Sequence, residues 1–140
     1  MPIMNLDSSA FVADEELIQA LSVRANVVDC DTDRLLFRQG EASTGLYILH
    51  AGEVIITMDS ISGYALISFK ANPGSLLGLP GLIGNAGYSL SAFAKKGATV
   101  SFVSRDDFSR LMLNEPGLSM KILRVLANEV RSARLAITNR

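Results

Sequence analysis

Hydrophobic and polar positions along this chain follow two different periods, and the changes of period divide it into three parts. Residues 13–22 place Leu17, Ile18 and Leu21 on one side of a helical repeat, behind the acidic first turn Asp14-Glu15-Glu16. Carboxylates are favourable at the positive end of the helix dipole, so this pattern predicts a short opening helix. From Val27 to Val103 the texture is different, with short apolar or β-branched runs separated by turn residues at close spacing. That is the pattern of an all-β sandwich or barrel.

The runs at 27–30, 34–37, 46–49 and 54–58 read as neighbouring antiparallel strands, and 64–69, 90–94 and 98–103 extend the series. Gln39-Gly40-Glu41, Ala51-Gly52, Ser60-Ile61-Ser62-Gly63 and Asn72-Pro73-Gly74 supply the turn chemistry between them. Lys95-Lys96-Gly97 is expected to form a hairpin turn between the last two strands. After Val103 the period becomes helical. Ser104 with Asp107 three residues on resembles an acidic capping box, and Phe108, Leu111 and Met112 then share one face of a helix over 105–114. Pro116 disfavours the α conformation in its predecessor and suits the first position of a last helix, over 116–138. Along that helix Leu123, Leu126, Val130, Ala133 and Ile137 recur at spacings of three and four. This heptad seam either packs onto the chain's own strands or forms a homodimer interface, and the homodimer is the expectation carried forward.

A chain of 140 residues, 49% hydrophobic and 19% charged, has room for one domain, 1–140, and enough apolar surface to fold. A net charge of −1 gives no field to draw the chain onto a phosphate backbone or an anionic membrane, so neither is expected as a partner. Cys30 and His50 are the sole residues of their kinds. They exclude an internal disulfide and the usual zinc ligand sets, so no metal or cofactor is expected. The first residues lack the basic and apolar regions of a secretion signal, and no run is long enough to span a bilayer, which makes a cytoplasmic location the expectation.

Catalysis finds no support in the residues. His50 ends a strand beside Ala51-Gly52 with no third group to orient it, and the acidic pairs Glu15-Glu16 and Asp106-Asp107 sit at helix starts for electrostatic reasons. No glycine cluster matches a nucleotide-binding loop. The chain is expected not to be an enzyme.

A helix, a series of short strands, and two helices of which the second is long, in that order, resemble the cyclic-nucleotide-binding domain family. Phe37-Arg38-Gln39-Gly40-Glu41 followed by Leu46-Tyr47-Ile48-Leu49-His50-Ala51-Gly52-Glu53-Val54 is similar to that family's Gln-Gly-Glu turn, Tyr-Ile strand and Gly-x-Val turn. Pro73-Gly74-Ser75-Leu76-Leu77-Gly78 resembles the family's approach to its phosphate-binding cassette. The likeness covers about residues 13–138 and is nearest to the sensor half of catabolite-activator/FNR-type regulators. It implies a mainly β fold: a jelly-roll β-roll (double-stranded β-helix) over about 26–103, flanked by a short N-terminal and a long C-terminal helix. Those regulators carry a DNA-reading domain after the long helix, for which the residues up to Arg140 leave no room.

The resemblance also implies where a ligand would sit. Family members present a glycine and a short helical turn to the cyclic phosphate, a glutamate to the ribose hydroxyl, an arginine to the phosphate, and a hydroxyl beside it. The matching positions here are Gly78, Leu79, Tyr88 and Ser89, and Pro80 removes one amide from the turn. Losing a charge-assisted bond to a sequestered phosphate costs roughly 2–5 kcal/mol, enough to empty a micromolar site. Lys95 and Lys96 are the nearest replacement cations in sequence. Three readings of the cassette follow: a structural loop that binds nothing; an apolar pocket for a neutral or hydrophobic effector; or retained cyclic-nucleotide binding through backbone amides and Ser89. The candidate ligand-binding residues are Gly78, Leu79, Pro80, Gly81, Leu82, Tyr88, Ser89, Leu90 and, from the last helix, Arg134. The functional expectation is a ligand-sensing regulatory module with a degenerate cassette, working through a small-molecule effector and an unidentified protein partner. The alternatives are a ligand-free dimeric scaffold and the sensor part of a longer transcriptional regulator.

Overall fold

In a computed structural model, the backbone is described for residues 8–59 and 65–138, and the side chains of that span except 65–67 and 133–138. A 3-10 turn (Ser8–Phe11) leads into α1 (Glu15–Ser22), whose N-cap Asp14 accepts a hydrogen bond from the Leu17 amide at 2.8 Å. Eight strands follow: β1 (Asn26–Val28), β2 (Arg34–Phe37), β3 (Gly45–Ala51), β4 (Val54–Asp59), β5 (Ala65–Lys70), β6 (Leu76–Leu77), β7 (Ser91–Ala94) and β8 (Thr99–Ser104). The short α2 (Leu79–Ile83) lies between β6 and β7, and α3 (Arg105–Asn114) and α4 (Pro116–Thr138) close the chain. Ser104 caps α3 by accepting from the Asp107 amide at 3.1 Å. Asp107 in turn ion-pairs with Arg110 at 3.4 Å.

The strands form two four-stranded antiparallel sheets, ordered β1-β8-β3-β6 and β2-β7-β4-β5. This is the jelly-roll β-roll with flanking helices that the sequence pattern and the resemblance implied. The pairing differs from the sequence reading in two places. Strands β1 to β4 are not mutual neighbours, since β1 pairs with β8, β2 with β7, and β3 and β4 belong to different sheets. Lys95-Lys96-Gly97 is not a hairpin turn, because it carries the chain from β7 in one sheet to β8 in the other. Two of its amides are taken by the β1–β2 connection instead, Lys96 N donating to Asp33 Oδ1 at 2.7 Å and Gly97 N to the Cys30 carbonyl at 2.9 Å, while Lys95 N donates to the Glu53 carbonyl at 2.9 Å. The physical reason is that the coiled ribbon pairs the chain's early strands with its late ones, which spacing along the chain does not encode. The turn read at 60–63 lies outside the described residues.

Two apolar layers result. Between the sheets lie Leu49, Val54, Ile56, Leu77, Ala92, Ala94 and Val100; between β1-β8-β3-β6 and the helices lie Leu46, Ile48, Leu76, Val103, Leu17, Leu21, Phe108, Leu111, Leu118, Ile122 and Val125. The unbroken apolar run Leu46-Tyr47-Ile48-Leu49 is explained by this arrangement. Strand β3 is covered on both faces, so alternate residues serve both layers.

Candidate functional site

Gly78 turns the chain from β6 into α2 with φ at 95°, a left-handed conformation that glycine adopts without strain. A Cβ there would also come within 2.8 Å of Cε1 of Tyr88. The Tyr88 ring is buried and stacked on Phe37 with centroids 4.1 Å apart. Its hydroxyl donates to the Gly45 carbonyl at 2.9 Å and accepts from the Thr44 amide at 3.2 Å. A phenol has one proton to donate, and here the start of β3 takes it. Tyr88 thus packs directly behind the cassette glycine and offers it neither a charge nor a free donor.

The backbone around Tyr88 is held by the Gln39-Gly40-Glu41 turn. Tyr88 N donates to the Glu41 carbonyl at 2.9 Å, and Gly40 N donates to the Tyr88 carbonyl at 2.8 Å. The neighbouring Gly87 passes so close that a Cβ would lie 2.9 Å from the Gly40 carbonyl oxygen. Arg105, at the start of α3, donates to the carbonyls of Ser43 at 2.6 Å and Leu82 at 3.3 Å. It ties the cassette helix to the β2–β3 loop. The sequence reading passed over Arg105 because nothing local distinguishes it from a solvated charge.

The other candidate residues separate into two groups. Leu79 and Leu82 are buried in the layer under the helices, and Gly81 is buried against Gly87, where a Cβ would come within 2.7 Å of the Gly87 carbonyl oxygen. Gly78, Pro80, Ser89 and Leu90 instead line a cavity together with Phe11, Phe37, Ile56 and Leu77. Its volume is ≈ 20 Å³, room for about one water molecule. Lys95 and Lys96 stand elsewhere: Lys95 Nζ lies 3.6 Å from Asp33 and over the Phe93 ring. Arg134 lies outside the described side chains.

One further residue completes the cavity wall, and the sequence reading missed it. Glu129 of α4 is buried, and neither carboxylate oxygen has a hydrogen-bond partner among the described residues. Burial pushes its carboxyl up from the ordinary range to about 8. A signal for it exists in the sequence. Leu118, Ile122, Val125, Glu129 and Ser132 recur at spacings of four and three, and all five are buried. This second stripe faces inward, while Leu123 and Val130 of the heptad seam are half exposed and Leu126 is partly buried. Ala133 and Ile137 of that seam lie outside the described side chains.

His50 and Cys30 take no part in the cassette. A ring nitrogen of His50 lies 2.7 Å from the Ser101 hydroxyl, and Cys30 is a buried thiol whose pKa burial raises. No group of three or more His, Cys, Asp or Glu suited to a metal occurs among the described residues, and no helix among them is long and apolar enough to cross a membrane.

A β-roll bearing a glycine-initiated short helix between β6 and β7, covered by a long C-terminal helix, is the architecture of cyclic nucleotide-binding domains. The family model of the cyclic nucleotide-binding domain matches residues 27–115, and the chain belongs to that family. Among solved structures it is similar to the Thermus thermophilus catabolite activator protein, with 25% identity over 94% of this chain and 61% of that one and a TM-score of 0.73. It is also similar to the sensor domain of the transcriptional regulator DNR from Pseudomonas aeruginosa (22% identity, 81% of this chain and 77% of that one, TM-score 0.64). A cyclic nucleotide-binding-like protein from Brucella abortus is 25% identical over 70% of this chain and 84% of its own, with a TM-score of 0.55. The chain spans less than two thirds of the Thermus protein's length. No curated protein matches it significantly.

Proposed function

We propose that this chain is a non-enzymatic regulatory module whose cassette is closed to cyclic nucleotides, and whose output is the position of α4. The observation that carries this reading is the placement of Tyr88. At the position where the family's arginine meets the phosphate stands a buried phenol, stacked on Phe37 and hydrogen-bonded to Thr44 and Gly45. The position of the ribose-binding glutamate is Leu79, which is fully buried in the layer under the helices. Neither side chain can serve a cyclic phosphate without first leaving the core.

The reading extends to assembly. Leu123 and Val130 are about half exposed on α4, at 51% and 52%, and line a shallow groove with Leu126 and Ala127. A second copy of α4 would cover this apolar stripe, making the module a homodimer. A cytoplasmic setting agrees with the buried free thiol of Cys30. The ≈ 20 Å³ cavity favours a second reading, in which the dimer is a scaffold without an effector. The 61% coverage of the Thermus protein favours a third, in which these residues are the sensor part of a longer regulator.

Thermal unfolding in the presence of cyclic AMP or cyclic GMP tests the central claim, since any ligand specific for the native state raises the midpoint. No rise is expected at millimolar nucleotide. A saturable rise at micromolar concentrations overturns the reading.

A further inference from the structure

The cassette cavity contains a carboxylate that the family likeness does not account for. Glu129 is 93% buried by its 7% exposure, both of its oxygens lack a partner among the described residues, and it stands on the helix whose position is the proposed output. Buried polar groups are nearly always hydrogen-bonded, so an orphaned carboxylate calls for a partner. Ser89 is the other polar side chain in the cavity wall; Phe11, Phe37, Ile56, Leu77, Pro80 and Leu90 are apolar. Among the described residues no cationic side chain lines the cavity.

We infer that this cavity is a site for the head group of a small organic cation, a primary ammonium on a compact apolar body, which Glu129 binds through its carboxylate. The inference rests on the reading that the cassette is closed to cyclic nucleotides and names the ligand class that replaces them.

Three observations select an ammonium. Glu129 is the one ionisable side chain among the described residues of the wall, so the charge this site can carry is negative, which disfavours a phosphate or any other anion. The space fits one water-sized group, the size of an ammonium head, and Ser89 on its wall is exposed, so the apolar body has a short way out past that residue. Two aromatic side chains, Phe11 and Phe37, border the cavity, and aromatic faces attract organic cations. A divalent metal is a poor match, because calcium and magnesium take six or more oxygen ligands and this wall offers one carboxylate and one hydroxyl. Burial already holds the carboxyl protonated near neutral pH. An ammonium therefore displaces that proton to solvent as it forms the ion pair, and no other atom changes hands.

The same geometry couples binding to output. The cation meets Glu129 and the cavity wall together only when α4 lies against the β-roll, so it binds that position of the helix more tightly than any other and shifts the population towards it.

The test uses the full chain, with thermal unfolding followed in methylammonium, butylammonium or benzylammonium chloride at constant ionic strength. Sodium chloride, butanol and cyclic AMP are the comparison solutes. At least one ammonium is expected to give a saturable rise in midpoint that sodium chloride and butanol do not. The rise should weaken at least tenfold in apparent affinity in both Glu129→Gln and Glu129→Leu. Carbon-13 NMR of the Glu129 carboxyl should show its titration moving to lower pH when the same ammonium binds. No specific rise with any of the three, or an undiminished rise in both variants, overturns the inference. A rise with cyclic AMP instead overturns the reading on which it rests, so the two failures are distinguishable.

Discussion

The ring of Tyr88 lies where any side chain at Gly78 would have to go, with Cε1 only 2.8 Å from the place a Cβ would occupy. The glycine that turns the chain into α2 and the tyrosine packed behind it are thus one packing unit. Their substitutions should read out as stability. Gly78→Ala adds a methyl at positive φ against a stacked ring and is expected to cost about 2 kcal/mol or more. Tyr88→Phe keeps the stack but leaves the Thr44 amide unsatisfied, for a cost of about 1–3 kcal/mol. Urea unfolding of the two variants checks both values.

Restoring the family's residues one at a time should fail to restore its chemistry. In Tyr88→Arg a guanidinium replaces a ring that is stacked on Phe37 and bonded to Thr44 and Gly45, with Glu129 of the adjoining cavity as the carboxylate nearest to hand among the described lining residues. Leu79→Glu places a carboxylate among Leu46, Leu76 and Ile122. The unpartnered carboxylate of Leu79→Glu, and the lost stack and hydrogen bonds of Tyr88→Arg, are each expected to cost on the order of 3 kcal/mol. Each variant should unfold at lower temperature, and isothermal titration with cyclic AMP should show no heat of binding. Micromolar binding by either single variant would mean the cassette is less committed to its apolar packing than the structure implies.

Much of this arrangement was legible in the sequence, and the parts that were not share a cause. Local chemistry announces local structure: Ser104 caps its helix as its position suggested, Asp14 of the acidic opening stretch proves to be the N-cap of α1, and Pro116 opens α4. The departures at Leu79 and Tyr88 were visible because a resemblance gave those positions an expected chemistry. Strand partners were not visible, because Lys95-Lys96-Gly97 has hairpin composition whether it joins strands of one sheet or of two. Glu129 was hidden by the stronger seam beside it. The exposed Leu123–Val130 stripe drew the helical reading, while the inward stripe ends in Glu129 and Ser132, residues that ordinarily signal solvent.

Acid should loosen the contact between α1 and α4. Lys121 donates to Asp14 and lies 3.6 Å from Glu16, so one lysine of α4 holds the start of α1. That hydrogen bond, followed by the one from the Leu17 amide, lowers the Asp14 pKa below its ordinary 3.8. Asp14 therefore contributes stability that is complete above pH 3.8 and is lost as pH falls through its lower folded value. In Lys121→Met the Asp14 titration should move back up towards 3.8, as read by carboxyl NMR. Both side chains are partly exposed, so molar salt should shrink the difference between wild type and variant.

The exposed stripe of α4 gives the dimer a direct test. Leu126→Asp with Val130→Asp places two charges on the groove that the second copy would cover, while Ile122 and Val125 still hold α4 to the β-roll. Light scattering should show a dimer for the wild type and a monomer for the variant, with circular dichroism unchanged. An unchanged mass in the variant rejects this stripe as the interface.

Alkali should act on α4 from the opposite side, through Glu129. Its folded pKa of about 8 stands above the ordinary 4.5, so the native cavity favours the protonated carboxyl. The contribution is complete below pH 4.5, declines as pH rises, and is lost once pH passes the folded value near 8. A displacement of that size corresponds to a few kcal/mol, as an order of magnitude. Among the described residues, the side chains that line the cavity with Glu129, such as Phe11, Phe37, Ile56, Leu77, Ser89 and Leu90, include no ionisable group in this range, and desolvation sets the direction. Glu129→Gln keeps the shape and removes the titration. Its stability relative to wild type should therefore rise between about pH 5 and pH 8 and level off towards pH 9, with contributions common to both proteins cancelling in the difference. Paired urea unfolding across that range measures it, and parallel curves for the two proteins would refute the burial of an unpaired carboxyl at this position. Ionised Glu129 is better solvated outside the cavity, so alkali should free the end of α4 before it unfolds the β-roll. Hydrogen exchange in α4 near Glu129 should accordingly accelerate above about pH 8 by more than the intrinsic rate, and the excess should vanish in Glu129→Gln.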